Sequence, residues 1–163
     1  MATNNTRAGF SGQRRPNPGY RGGDERGPRE PEATLDTSGI RFGEEISATL
    51  YSDVAERAAQ QVAQQIGGHD VNKGTQLRRF YDELVMLQGK VGGSEERFAA
   101  QAPFVQMLKA KVAYAMGRKK VDANFDRLLR HVVDQIKDPS TFGQAKLFME
   151  AFMAFYKVHG PND

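Results

Sequence analysis

The sequence predicts an all-α protein: a compact bundle of about five helices over residues 44–160, preceded by a disordered Arg/Gly/Pro-rich tail over residues 1–43. Three observations predict it. Apolar side chains recur every three to four residues from Leu50 onward, no stretch alternates with period two for long enough to be a strand, and capping residues and glycines punctuate the periodic segments. A length of 163 residues allows one core and leaves no room for a second large domain.

Residues 1–43 hold four of the seven prolines and hardly any aliphatic side chains, too little apolar surface to offset the entropy of ordering. Within them Arg21-Gly22-Gly23, with Arg14-Arg15, Tyr20 and Arg26 nearby, resembles RGG-type segments that bind RNA loosely.

From about Glu44 the pattern turns helical. Leu50, Val54, Ala58, Val62 and Ile66 recur every four residues until Gly67-Gly68 supplies a stop. A second helix is expected after Gly74, with Thr75 as N-cap and Leu77, Phe80, Tyr81, Leu84 and Val85 as its stripe, ending by the glycines at 89, 92 and 93. Ser94 caps a third helix that Pro103 must kink or restart, because proline removes a donor and crowds the preceding turn. Its second part carries Phe104, Leu108, Val112 and Ala115 on one face and runs to Gly117. Asp122 caps a fourth helix with core positions Phe125, Leu128, Leu129, Val132, Val133 and Ile136. Asp138-Pro139 reads as N-cap and N1 of a fifth, which carries Phe148, Met149, Phe152, Met153, Phe155 and Tyr156. So wide an apolar arc belongs to a helix that is central to the core or packed on a partner.

Composition excludes several functions. With no cysteine there is neither a disulfide scaffold nor a thiolate metal site. No apolar run approaches a membrane span, and MATNNTRAGFSGQRRPN has no signal-peptide apolar region, so a cytoplasmic protein with no membrane association is expected. His69, His131 and His159 stand alone, without the paired spacing of a zinc site, and His131 beside an apolar stripe reads as a structural histidine. There is no P-loop, and the adjacent acids Asp82-Glu83 and Glu95-Glu96 point about 100° apart on a helix, so they do not converge on a metal. No catalytic residue, cofactor or metal is expected.

The basic residues carry more information. Residues 75–130 hold eleven bases against six acids, whereas residues 36–74 hold three against six. Lys109 and Lys111 lie beside the apolar stripe of the third helix, Arg118-Lys119-Lys120 follow its end, and Arg127 and Arg130 lie one turn apart on the fourth. A hairpin through Gly117 would gather these seven at one end of the molecule. Clustered cations of this kind neutralise phosphates without reading sequence, although cations at a helix C-terminus also favour the macrodipole. Arg78-Arg79 on the second helix can pair instead with Asp82 and Glu83 at i+4.

Three segments together resemble a known family. Thr75-Gln76-Leu77-Arg78-Arg79-Phe80-Tyr81-Asp82-Glu83 is similar to the T-x-L-R-x-F-Y-[DE] segment of the small helical subunit of the Csm complex, the type III-A CRISPR RNA-guided effector. Pro103 through Leu108-Lys109-Ala110-Lys111-Val112-Ala113-Tyr114-Ala115 to Gly117-Arg118-Lys119 resembles the family's lysine-bearing helix with a tyrosine near its end. Phe148 to Lys157 is similar to its closing aromatic helix. The resemblance covers residues 70–158; the Arg/Gly-rich leader and the Ala/Gln-rich first helix depart from it.

The resemblance implies a non-catalytic subunit. Copies of it stack as an inner filament beside the backbone subunits that hold the guide RNA, and it contacts guide RNA and target RNA through basic side chains. Cleavage of the target falls to the backbone subunit, and cyclic oligoadenylate synthesis and DNA cleavage to the large subunit. The residues it carries over are Arg78, Arg79, Lys109, Lys111, Tyr114, Arg118 and Lys119. Lys120, Arg127 and Arg130 rest on the charge pattern alone. The acidic first helix and the aromatic last helix are then expected to be protein–protein surfaces. Alternatives are the small subunit of the related Cmr (type III-B) complex, a helical adaptor with no RNA role, and a metal-dependent nuclease built from carboxylates distant in sequence.

Overall fold

A computed structural model of the protein describes residues 27–162. Every regular element among them is helical: a π-helical turn Leu50–Val54 leading directly into α1 (Ala55–Val62), then α2 (Gly74–Val91), α3 (Glu95–Gly117), α4 (Ala123–Asp134) and α5 (Pro139–His159). The first helix thus begins at Leu50, later than Glu44. Its opening turn is wide, with the Val54 N–H reaching back five residues to the Thr49 carbonyl at 3.1 Å. It also ends at Val62, leaving Ile66 beyond it, half-buried.

Local chemistry sets most helix starts. The Ser94 hydroxyl accepts the Arg97 N–H at 3.2 Å, and Asp122 Oδ1 accepts the N–H groups of Asn124 and Phe125 at 3.0 and 3.1 Å. Asp138 and Thr141 form a reciprocal capping box ahead of Pro139 at the first helical position. The start of α2 differs from expectation. Its N-cap is Lys73, whose side chain accepts nothing, and Thr75 is already inside the helix.

Pro103 neither ends nor restarts α3, which runs as one element through it. The ring costs the Ala99 carbonyl its i+4 donor, but Pro103 and Ala99 are both exposed, so water serves that carbonyl. The buried stripe of α3 is Val105, Leu108, Val112 and Ala115, at spacings of three, four and three. Phe104, expected on this face, is one position out of register with it and half exposed.

The last helix is the spine of the bundle. It packs on α1, on α2 and on the π turn, while α3 lies between α2 and α4. Phe142, Phe148 and Phe152 of α5 are fully buried, so the aromatic arc expected to meet a partner is mostly interior. A run of rings ties three helices together: Phe80 to Phe125 at 5.5 Å, Phe125 to Phe152 at 6.4 Å, Phe152 to Tyr156 at 5.6 Å between centroids.

The packed chain starts before the expected boundary at residue 44. Leu35 and Ile40 are buried, and the Phe42 ring lies 5.9 Å from that of Phe148. This strap, residues 34–43, has no helix or strand of its own, so its backbone polar groups need other partners. Side-chain amides of α4 and α5 supply them. Asn124 Oδ1 accepts the N–H groups of Thr34 and Leu35 at 2.8 and 2.9 Å. Gln135 accepts the Phe42 N–H at 2.9 Å and donates to the Ile40 carbonyl at 2.8 Å. Gln144 holds Gly43 by both its N–H and its carbonyl at 2.8 Å each. The RGG segment, Arg14-Arg15 and Tyr20 lie outside the described residues.

Candidate nucleic-acid interface

The turn between α3 and α4 is built on a lysine where a glycine is expected. After Gly117, the Lys119 N–H donates to the Met116 carbonyl at 2.8 Å and the Lys120 N–H to the Ala115 carbonyl at 2.9 Å. That paired pattern closes a helix whose next residue is left-handed, and Lys119 has φ +55°. A β-carbon in this region costs roughly 1–2 kcal/mol relative to the right-handed conformation. Gly117, to which the sequence reading runs the helix, is its last residue.

The corner hangs from a buried asparagine. The Asn72 N–H donates to the Lys120 carbonyl at 2.9 Å, and Asn72 Oδ1 accepts the Asp122 N–H at 2.9 Å. Its side-chain amide donates to the Val62 carbonyl at 3.2 Å, and its own carbonyl accepts the Tyr156 hydroxyl. One residue thereby fastens the end of α1 and the C-terminal half of α5 to both sides of the turn. Asn72 itself sits at φ +56°, which asparagine tolerates better than most residues. The Asp122 carboxylate caps α4, where the helix N-terminus favours its charge.

Tyr114 and Arg118 form an exposed pair on the last turn of α3. The guanidinium carbon lies 5.7 Å from the ring centroid, and Arg118 Nη1 donates to the Tyr114 hydroxyl at 3.2 Å. Tyr114 is 67% exposed. Arg79 lies at the same end: Lys111 of α3 pairs with Glu83 of α2, and Arg79 and Tyr114 are each one turn further toward the corner on these antiparallel helices. Arg79, Lys119 and Lys120 are exposed and have no carboxylate partner among the described residues. Together they form a basic edge with one flat aromatic in it.

The other sequence candidates are elsewhere. Lys109 pairs with Asp134 at the far end of α4, so Lys109 and Lys111 tie α3 to its two neighbours. Arg130 lies on both oxygens of Asp126 at 2.9 Å, and Arg78 reaches Asp82 at 3.7 Å. Arg127 donates to the Ala33 carbonyl at 3.4 Å and steadies the strap. The seven cations of α3 and α4 therefore do not gather at one end. His131 holds the Ile40 carbonyl at 2.7 Å, a structural contact.

A groove of about 460 Å³ runs between α2 and α5, lined by Thr75, Arg78, Tyr81, Glu150, Met153 and Lys157 among others. Burial, with the charges of Glu150 and Asp82, raises the Tyr81 hydroxyl above the ordinary tyrosine pKa, so it is a neutral donor. Among the described residues no group of His, Asp and Glu is placed to hold a metal ion, and no helix is long and apolar enough to cross a membrane.

Sequence reasoning missed Asn72, Asn124, Gln135 and Gln144, whose partners lie far along the chain. The one local signal is at Asn72, a turn-forming residue between two periodic segments.

A family model described as Csm2 Type III-A matches residues 49–162, most of the folded unit. No curated protein and no solved structure matches the chain.

Proposed function

The chain belongs to the Csm2 Type III-A family, small subunits that are structural components of the type III-A CRISPR complex, and from that premise we propose that it contacts the RNA of the complex through the basic edge at the α3–α4 corner. Arg79, Arg118, Lys119 and Lys120 supply phosphate contacts, and the Tyr114 ring gives a ribose or an unpaired base a flat surface. Such a surface follows backbone and shape and leaves sequence to the pairing of guide with target.

Lys119 carries the reading. A left-handed helix stop is best served by glycine, and strain retained at one residue marks a place where its side chain is needed. A cation next to Arg118 and Lys120 is what a phosphate-binding corner needs. Lys109, Lys111, Arg78, Arg127 and Arg130 extend the surface when RNA is present. The Arg78–Asp82 pair is exposed on both sides and contributes only ~0–1 kcal/mol, so there a phosphate replaces a carboxylate at little cost.

In this reading the protein is not itself an enzyme, needs no cofactor, and works in the cytoplasm as repeated copies along the guide–target duplex, next to the backbone and large subunits. Weak binding per copy becomes firm through repetition. Half-exposed Phe104 and Met107 on α3 provide apolar area for contact between subunits.

The test is ultraviolet cross-linking of the reconstituted complex on target RNA, with cross-linked peptides identified by mass spectrometry. Cross-links at Tyr114 and its neighbours through Lys120 are expected. Cross-links confined to other faces of this subunit overturn the assignment.

A further inference from the structure

The groove between α2 and α5 is graded along its length. The Tyr156 hydroxyl on the Asn72 carbonyl places the C-terminal turns of α5 beside the start of α2, and Glu150 acts on Tyr81 further along, so the two helices run antiparallel. At one end stand Lys157 and the N-terminal turn of α2, where the helix macrodipole is positive. The middle is apolar, with Met153 and Ala154 of α5 as its wall and Arg78 of α2 on its rim. The other end holds half-buried Tyr81 and exposed Glu150, close enough that the carboxylate adds to burial in keeping the phenol protonated.

Positive charge, then apolar surface, then a donor beside an acceptor suits one chemistry. From Thr75 to Tyr81 the helix rises about 9 Å, close to the span of a 5′-nucleotide from its phosphate to the far edge of a purine. A volume of about 460 Å³ holds one such unit and falls in the usual range of ligand cavities, roughly 300–1,000 Å³.

We infer that the α2–α5 groove binds a guanosine 5′-monophosphate unit, free or as the 5′ end of an RNA strand, with the phosphate at Lys157 and the base edge at Tyr81 and Glu150. Guanine presents two adjacent N–H donors, on its ring nitrogen and its exocyclic amine, to the two oxygens of one carboxylate. Its carbonyl oxygen beside them accepts the Tyr81 hydroxyl. Adenine and cytosine turn a ring-nitrogen acceptor toward the carboxylate instead, and uracil has a single N–H to give. Met153 supplies a polarisable surface under the base. Arg78, held only by an exposed pair with Asp82 at 3.7 Å, covers the ring with its planar guanidinium. This site shares no residue with the basic edge at the α3–α4 corner and does not rest on that reading.

The experiment is isothermal titration calorimetry of the full-length protein with GMP, AMP, UMP and guanosine, for wild type, Glu150→Gln and Lys157→Ala. Both side chains are exposed, and matching thermal unfolding midpoints establish that the fold is kept. GMP is expected to bind at least about tenfold more tightly than AMP, UMP or phosphate-free guanosine. Glu150→Gln should weaken GMP about tenfold and leave AMP unchanged, and Lys157→Ala should bring GMP down to the level of guanosine. No saturation by GMP at about 5 mM overturns the inference. So does AMP or UMP binding as tightly as GMP, or a GMP affinity that either substitution leaves unchanged. The source of the ligand is read with 5′-phosphorylated GUU in the Arg118→Ala/Lys119→Ala/Lys120→Ala background, which removes the corner. Glu150-dependent binding tighter than that of GMP assigns the groove to an RNA end, and weaker binding assigns it to the free nucleotide. Trinucleotide binding without dependence on Glu150 overturns the RNA-end assignment.

Discussion

The backbone N–H of Asn72 donates to the carbonyl of Lys120 across 2.9 Å, so the most basic turn of the molecule is suspended from a fully buried residue. Replacing Asn72 with Ala leaves the Asp122 N–H buried without a partner, while the Val62 carbonyl keeps the Gln65 N–H at 3.2 Å. Such an orphan costs about 1–3 kcal/mol, and alanine fits a left-handed backbone less well than asparagine. Urea unfolding of Asn72→Ala is expected to give a loss of about 2–4 kcal/mol; a loss under 1 kcal/mol would mean that water replaces the amide.

Lys119 separates stability from binding. Lys119→Gly removes the strained β-carbon, and despite the extra freedom glycine gives the unfolded chain it is expected to stabilise the fold by roughly 0.5–1 kcal/mol. The same change removes a cation from the corner, so RNA affinity should fall. Chemical denaturation and RNA titration on one preparation check both directions, and a variant that is less stable contradicts the account of the turn.

The two phenylalanines Phe125 and Phe104 are expected to behave oppositely. Phe125 is fully buried between the rings of Phe80 and Phe152, so Phe125→Ala should cost about 3–5 kcal/mol. Phe104 is 51% exposed, and Phe104→Ala should change stability by no more than ~0.5 kcal/mol. Melting of the two variants beside wild type checks the register of α3.

Acid sensitivity should report the cap of α5. The Thr141 N–H, then its hydroxyl, hold the Asp138 carboxyl below its usual pKa of 3.8. A carboxyl lowered by folding contributes its full stabilisation above the unfolded value and loses it as pH falls through the folded value, so this contribution disappears below about pH 3.8. Asp138→Asn keeps an oxygen acceptor for the cap and removes the titration. Melting temperatures between pH 5 and pH 2 should fall less steeply for that variant than for wild type.

Most of the fold was legible because helices announce themselves locally. Ser94, Asp122 and Asp138 are capping residues beside their helices, and the stripes Leu77–Phe80–Leu84 and Phe125–Leu128–Leu129–Val132 repeat at helical spacing. The strap was not legible, because Leu35 and Ile40 are isolated apolar residues in a polar, proline-rich context. What orders them is a set of amide side chains about 90 to 100 residues away. The basic edge was legible in part. Tyr114, Arg118, Lys119 and Lys120 lie close together in sequence at one helix end, but the pairing of Lys109 with Asp134 and of Lys111 with Glu83 depends on which helices lie beside α3. Phe104 was misplaced for a related reason: with Val105 next to it, either residue can begin the buried stripe, and tertiary packing decides.

The measurement that bears most directly on the central claim is binding of a guide–target RNA duplex by the full-length protein across a salt titration, wild type against Arg118→Ala/Lys119→Ala/Lys120→Ala. Wild-type affinity should fall linearly with the logarithm of salt concentration. The variant, with its helical circular dichroism unchanged, should bind at least tenfold more weakly and with a slope shallower by about 2. A variant that binds as tightly as wild type with the same slope would contradict the assignment of the α3–α4 corner as the RNA-contacting surface.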